Sequence, residues 1–460
     1  METVQVRRLG TTPNTTSATS SYRWEPIISP NLRESAYPKP THSGPEMHLF
    51  NPRAIRQPYT ADLLGVMSIA AGRESRSWLS TWNLLTPTAT PAWSLPKLAA
   101  ALKLGSIHVK DESKRSELAS FKALGASIGL LRFVLRRWPD QPWSAADLLA
   151  GLHARQLRDF VVISATDGNH GRALAAAAQS MGCRCVIVLH AHVSEEREDA
   201  IAAFDAEIIR ITGNYDESVF EAARLAARNG WEVVSDTSYD GYQEIPRDVM
   251  QGYGILADEL LQDSAEGSGC PFTHAILQGG VGGLAAGVVS HFWERYGTRR
   301  PTIIVVAPEQ ADCLYQSALQ GRASRATGTG ESVMAGLACG QASPLAWRFL
   351  QPTVDMFMTI TDAQAEAAMR DLADGAAGDI PVVSGESGAA GLAALRALIS
   401  NTEMRRKLGL DASSRVVLFN TEGATAPRLY RGIVGRGANA VMTAQRRWLE
   451  RHGISESRLT

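Results

Sequence analysis

From about residue 118 onward, short uninterrupted apolar runs alternate with helix-length amphipathic segments, and few architectures accommodate that alternation. The run FVVISAT is apolar throughout and stops at a polar turn, as expected of a strand covered on both faces. GRALAAAAQSMG follows as an alanine-rich helix closed by glycine. CVIVLH, EEREDAIAAFDA, EIIRITG, YDESVFEAARLAARNG and WEVVSDTS then repeat the cycle. Helices of this length between buried strands imply right-handed crossovers and a parallel sheet. A second cycle follows the helix PRDVMQGYGILADELLQD, with strands HAILQGG, TIIVVAPE and VVLFNTEG and helices through AAGVVSHFWERYG and AAGLAALRALIS. The chain reads as α/β with two parallel sheets, and its ligand sites are expected at the carboxyl ends of strands.

Composition narrows function more than fold. The 46 Lys and Arg residues offset 47 Asp and Glu, so no basic excess points to nucleic acid or an anionic membrane. No stretch approaches the roughly 18 apolar residues of a membrane span. The five cysteines (Cys183, Cys185, Cys270, Cys313, Cys339) are too few and scattered for a disulfide scaffold. Cys183 and Cys185 sit in an apolar strand with no second pair nearby, so no metal is expected. These features suggest a neutral cytoplasmic protein acting on a small molecule. Residues 1–45 are rich in Ser, Thr and Pro without apolar periodicity, and read as a flexible N-terminal extension. No apolar segment of signal-peptide type follows Arg7 and Arg8.

Three polar turns carry the chemistry. In ASFKALGAS, Lys122 lies among residues that read as buried. Burial disfavours an ammonium, lowers its pKa and makes the amine a usable nucleophile. In QGGVGGLAAG, residues 278–287, glycines between a strand and a helix let main-chain N–H groups converge on an anion. The spacing is neither a clean dinucleotide fingerprint nor a Walker loop, so a single phosphate suits it better than a nucleotide. In TDGNHG, residues 166–171, Asn169 either caps a helix or donates to an oxygen of a bound ligand. Thr166 and the turn's N–H groups can meet a substrate carboxylate, and Asp167 is placed to act as a base.

Together these turns resemble the fold-type II pyridoxal-phosphate enzymes, the tryptophan synthase β-like group that includes threonine dehydratase and cysteine synthase. The order matches: lysine, G-N-H turn, glycine loop, late polar strand end. The wording SFKALGA, ATDGNHGRALA, SDTSYDGYQEIP, MQGYG, QGGVGGLAAGV, MAGLACG, SGESGA and NTEG is similar to the diaminopropionate ammonia-lyases, from about Phe50 to about Tyr430.

The resemblance implies a large cofactor-binding domain (46–126 and 244–460), a small α/β domain (127–243) and an active site between them, in a homodimer. It implies that Lys122 carries pyridoxal 5'-phosphate and that Gly279, Gly280, Val281, Gly282 and Gly283 hold the phosphate. Asn169 would bond the ring oxygen, and Asn420 or Thr421 would face the ring nitrogen. Lys122 and Asp167 would be bases on opposite faces of the substrate. Thr166, Asp167, His170, Asp236 and Tyr242 would contact it, with Asp236 holding its second amino group.

The implied reaction is α,β-elimination of D- or L-2,3-diaminopropionate to pyruvate and ammonia through aminoacrylate. Serine or threonine dehydration, or β-replacement, is the alternative. The resemblance also implies that Cys313 and Cys339 approach each other near a loop by the active site. The chain departs from the family where T-E-G-D-T-D becomes TEGATAP, with Ala424 and Ala426 replacing two acids, and where C-G-E ends in Gln341.

Overall fold

The computed structural model of the chain describes residues 47–454 apart from Asp167, His192, Asn214 and Glu266. The extension at 1–45 therefore lies outside the described residues. Eleven strands are described: β1 (His48–Phe50), β2 (Ala92–Ser94), β3 (Ser106–Asp111), β4 (Val161–Ala165), β5 (Arg184–Leu189), β6 (Glu207–Arg210), β7 (Glu232–Val233), β8 (His274–Gln278), β9 (Thr302–Pro308), β10 (Met356–Ile360) and β11 (Arg415–Asn420). They form a seven-stranded sheet, β1-β10-β9-β8-β11-β3-β2, and a four-stranded sheet, β6-β5-β4-β7. The small sheet is wholly parallel. The large sheet is parallel inside, but its edge strands β1 and β2 run antiparallel to their neighbours. Those edges, three residues each, are too short to show a pattern in sequence.

Register brings functional turns to one side of the large sheet. Gln278 at the end of β8 pairs with Val306 of β9, and Asn420 at the end of β11 pairs with Asp111 of β3. Beyond these ends lie the glycine loop and the segment Thr421–Glu422. Phe121 N donates to Thr421 O at 3.1 Å and Gly423 N donates to Ala119 O at 2.8 Å, so the turn before Lys122 is tied to the end of β11.

Three helices pack behind this region with almost no side chain between them: Lys122–Arg137, Glu244–Leu260 and Gly283–Tyr296. A Cβ on Gly252 would lie 2.5 Å from Leu124 O, and one on Gly287 would lie 2.8 Å from Met250 O. Both contacts are with backbone, so only glycine fits. The space beside Gly125 is filled by the Tyr253 ring, which is thereby delivered next to Lys122. A buried ionic cluster fixes the approach to Lys122. Lys110 Nζ donates to Glu259 Oε2 at 2.6 Å, Arg115 reaches the same carboxylate at 2.7 Å, and Arg115 Nε meets Glu112 at 2.9 Å. Charges out of water persist only when paired this closely. No helix among the described residues is long and apolar enough to cross a membrane.

Candidate active site

A cleft opens where the strand ends of the two sheets meet. Lys122, at the start of its helix, projects into it and forms an ion pair with Asp236, which follows β7. The ammonium also lies over the rings of Phe121 (5.2 Å) and Tyr253 (5.8 Å). Burial by itself pulls the Lys122 pKa down, as expected from the sequence. The Asp236 carboxylate outweighs burial, and the net shift is upward. This corrects the expectation of a depressed amine in the free protein. Burial likewise pushes Asp236 up, but the Lys122 charge wins and holds its carboxyl below the usual range.

His170 places Nδ1 3.9 Å from Asp236, while its Nε2 is 3.0 Å from Val234 O. Burial lowers its pKa, so it stands beside the ion pair as a neutral ring. The Tyr242 hydroxyl accepts from Ser235 N and donates to Val233 O, both at 2.9 Å. It closes the loop that carries Asp236 and does not border the cleft.

Thr166 is likewise engaged in its own turn, because its Oγ1 accepts from Gly168 N at 3.1 Å and Gly171 N at 3.2 Å. Asp167 lies outside the described residues. Asn169 borders the cleft, and its amide donates to the Glu422 carboxylate. Of Asn420 and Thr421, only Thr421 borders the cleft. Asn420 is buried behind it, donating to Asp111 Oδ1 at 2.7 Å and Val383 O at 2.8 Å.

The glycine loop forms another part of the wall through Gly279, Gly280, Val281 and Gly283, at the N-terminus of the helix Gly283–Tyr296. Gly282 faces the other way. Its N–H bonds Gly279 O at 3.0 Å, its φ is +102°, and a Cβ there would lie 2.9 Å from Leu350. It shapes the turn. Cys313 and Cys339 both border Gly280: Cys313 Sγ lies 3.4 Å from Gly280 O, and Cys339 lines the cleft. No disulfide joins them.

Arg197, Tyr215, Tyr253, Ser387 and Glu422 also line the cleft, without having been singled out as site residues from the sequence. Ser387 and Glu422 sit within SGESGA and NTEG, so their motifs had marked them. Arg197 belongs to EEREDAIAAFDA, where a charged helix face gave no such signal.

The donor set fits pyridoxal phosphate. A primary amine with its own counter-ion shares the cleft with glycine backbone at a helix N-terminus, where partial positive charge suits a phosphate. A Cβ on Gly283 would meet only ordinary contacts, 3.6 Å from Asp236 O, so the loop offers open room on that face.

Comparison with known proteins agrees. The family model for pyridoxal-phosphate dependent enzymes matches residues 84–422. Fold and site thus define a fold-type II pyridoxal-phosphate enzyme. Diaminopropionate ammonia-lyase of Salmonella typhimurium is 40% identical over 359 residues, covering 76% of this chain and 89% of that protein. Two crystal structures of the Escherichia coli diaminopropionate ammonia-lyase are 33% identical to this chain and cover 86% of it and 98% of their own. One, with an aminoacrylate-PLP azomethine reaction intermediate, gives a TM-score of 0.76, and the other, with D-serine, 0.77. The chain belongs to the diaminopropionate ammonia-lyase family of these enzymes.

Proposed function

We propose that the protein eliminates ammonia from D- and L-2,3-diaminopropionate, releasing aminoacrylate that hydrolyses to pyruvate and a second ammonia. The observation that carries this reading is the Lys122–Asp236 ion pair, set in a cleft that also holds the glycine loop. Bound pyridoxal phosphate supplies an electron sink that makes the substrate's α-proton acidic. Lys122 would hold it through its amine. The backbone of Gly279, Gly280, Val281 and Gly283 would seat its phosphate, with Gly282 setting the turn. Asn169 would donate to its ring oxygen and Thr421 would face its ring nitrogen as a neutral partner.

Asp236 is the residue that recognises a second amino group. It neutralises Lys122 in the free protein, and a substrate ammonium replaces that partner once Lys122 is engaged with the cofactor. His170, neutral beside it, adds no competing cation. Tyr242 holds the Asp236 loop in shape. Lys122 takes the α-proton from one face and Asp167 from the other, which is how one site would serve both enantiomers. A homodimer is part of the same reading, by analogy of fold.

A second reading, dehydration of serine or threonine or a β-replacement, draws on Ala424 and the buried Ala426 where the family carries acids. Cofactor anchoring is tested on Lys122→Ala. This variant should lose both the visible absorption band that pyridoxal phosphate gives the wild type and all pyruvate release. A variant that keeps the band removes Lys122 from the role.

A further inference from the structure

We propose that Arg197 receives the α-carboxylate of the substrate and so restricts the cleft to amino acids, an inference that rests on the function proposed above. Among the described residues, Lys122 and Arg197 are the two basic side chains that line the cleft. Lys122 is already paired with Asp236. The guanidinium of Arg197 makes no hydrogen bond or ion pair with any described residue, while its backbone N–H is held by Ser194, the cap of the helix Glu195–Ala202. The residue is thus fixed at its base and open at its head.

Its stem packs against the TDGNHG turn, where a Cβ on Gly168 would come within 3.2 Å of Arg197 Cδ. Gly168 has φ +147°, which also favours glycine. The turn offers the N–H groups at the start of the helix Asn169–Met181, while those of Gly168 and Gly171 both go to Thr166 Oγ1. A guanidinium beside it adds a positive charge to those donors, in a planar fork that matches a carboxylate.

A purely structural role would pair Arg197 with a nearby acid. Glu386 feels its charge but forms no ion pair with it. Glu196 turns instead to the other layer, where its carboxylate accepts from Arg428 N at 3.1 Å. That contact pins the helix across the cleft with Arg197 facing inward.

The test uses the holoenzyme of wild type, Arg197→Gln and Arg197→Lys, and two ligands: 2,3-diaminopropionate and its carboxylate-free counterpart, 1,2-diaminoethane. Binding is followed by the cofactor's absorbance, and turnover by pyruvate release. Arg197→Gln should raise KM and Kd for diaminopropionate about 10- to 100-fold with a smaller change in kcat, and leave diaminoethane affinity unchanged. Arg197→Lys should recover part of the loss. Unchanged diaminopropionate binding, or equal weakening of both ligands, overturns the assignment. If the wild type turns over serine and not diaminopropionate, the proposed function fails instead, and serine against 2-aminoethanol decides Arg197 in the same way.

Discussion

A buried ammonium tends to lose its proton, and at Lys122 the carboxylate of Asp236 reverses that tendency. The partner lies 114 residues further along the chain, so burial was legible in the sequence near Lys122 but the sign of the net shift was not. A lysine with a raised pKa adds stability that is full below its ordinary value and lost as pH rises through the raised one. An aspartate with a lowered pKa adds stability that is full above its ordinary value and lost as pH falls through the lowered one. The pair is therefore fully effective between about pH 4 and pH 10. Both side chains are largely buried, so Asp236→Asn should cost the cofactor-free protein about 3–5 kcal/mol at pH 7 in denaturant titration. With pyridoxal phosphate bound, Lys122 has another partner and the cost should shrink. Equal losses with and without cofactor would count against the pairing as the source.

The helices Lys122–Arg137, Glu244–Leu260 and Gly283–Tyr296 show how elements carry residues to the site. Because Gly252 and Gly287 bring backbones into contact, Tyr253 and the glycine loop converge on Lys122. Gly252→Ala should destabilise the protein by about 1–3 kcal/mol through overpacking, seen as a lower Tm, since the Leu124 carbonyl it meets belongs to helix backbone. A variant as stable as wild type would show that the crossing has slack.

The central strands β4, β5, β6, β8, β9 and β11 were legible because burial on both faces writes an unbroken apolar run. β3 (SIHVKD) was not. It carries Lys110 and Asp111, whose charges are buried only because Glu259 and Asn420 meet them across the fold. The glycine loop was legible as a strand-to-helix turn at a strand's carboxyl end, but which glycine faces the cleft depends on Leu350, in a later helix.

At the scale of the whole molecule, the two layers are joined around the cleft by Asn169 to Glu422 and by Glu196 to Arg428 N. Glu386 lies in the same seam, with one carboxylate oxygen lacking a hydrogen-bond partner. Burial first, then the Glu422 charge, pushes its carboxyl up to about 7, with Glu196 adding to and Arg197 opposing that rise. A carboxyl with a raised pKa favours the fold fully below its ordinary value near 4.3 and loses that contribution as pH rises through the raised one. The cofactor-free wild type should therefore lose up to about 3 kcal/mol from this group between about pH 4 and pH 8, and Glu386→Gln should flatten the decline. An unchanged pH dependence of Tm in Glu386→Gln would exclude this group as its origin. This seam was the least legible part of the site, since SGESGA and NTEG meet only in three dimensions.

Everything proposed for the cleft converges on one elimination reaction. The direct measurement supplies the purified protein and pyridoxal phosphate with D- and L-2,3-diaminopropionate, serine and threonine in parallel, and quantifies ammonia with pyruvate or 2-oxobutanoate. Both diaminopropionate enantiomers should yield pyruvate with two ammonia per molecule, ahead of either hydroxy amino acid. Robust turnover of serine with none of diaminopropionate would rule out diaminopropionate as the substrate.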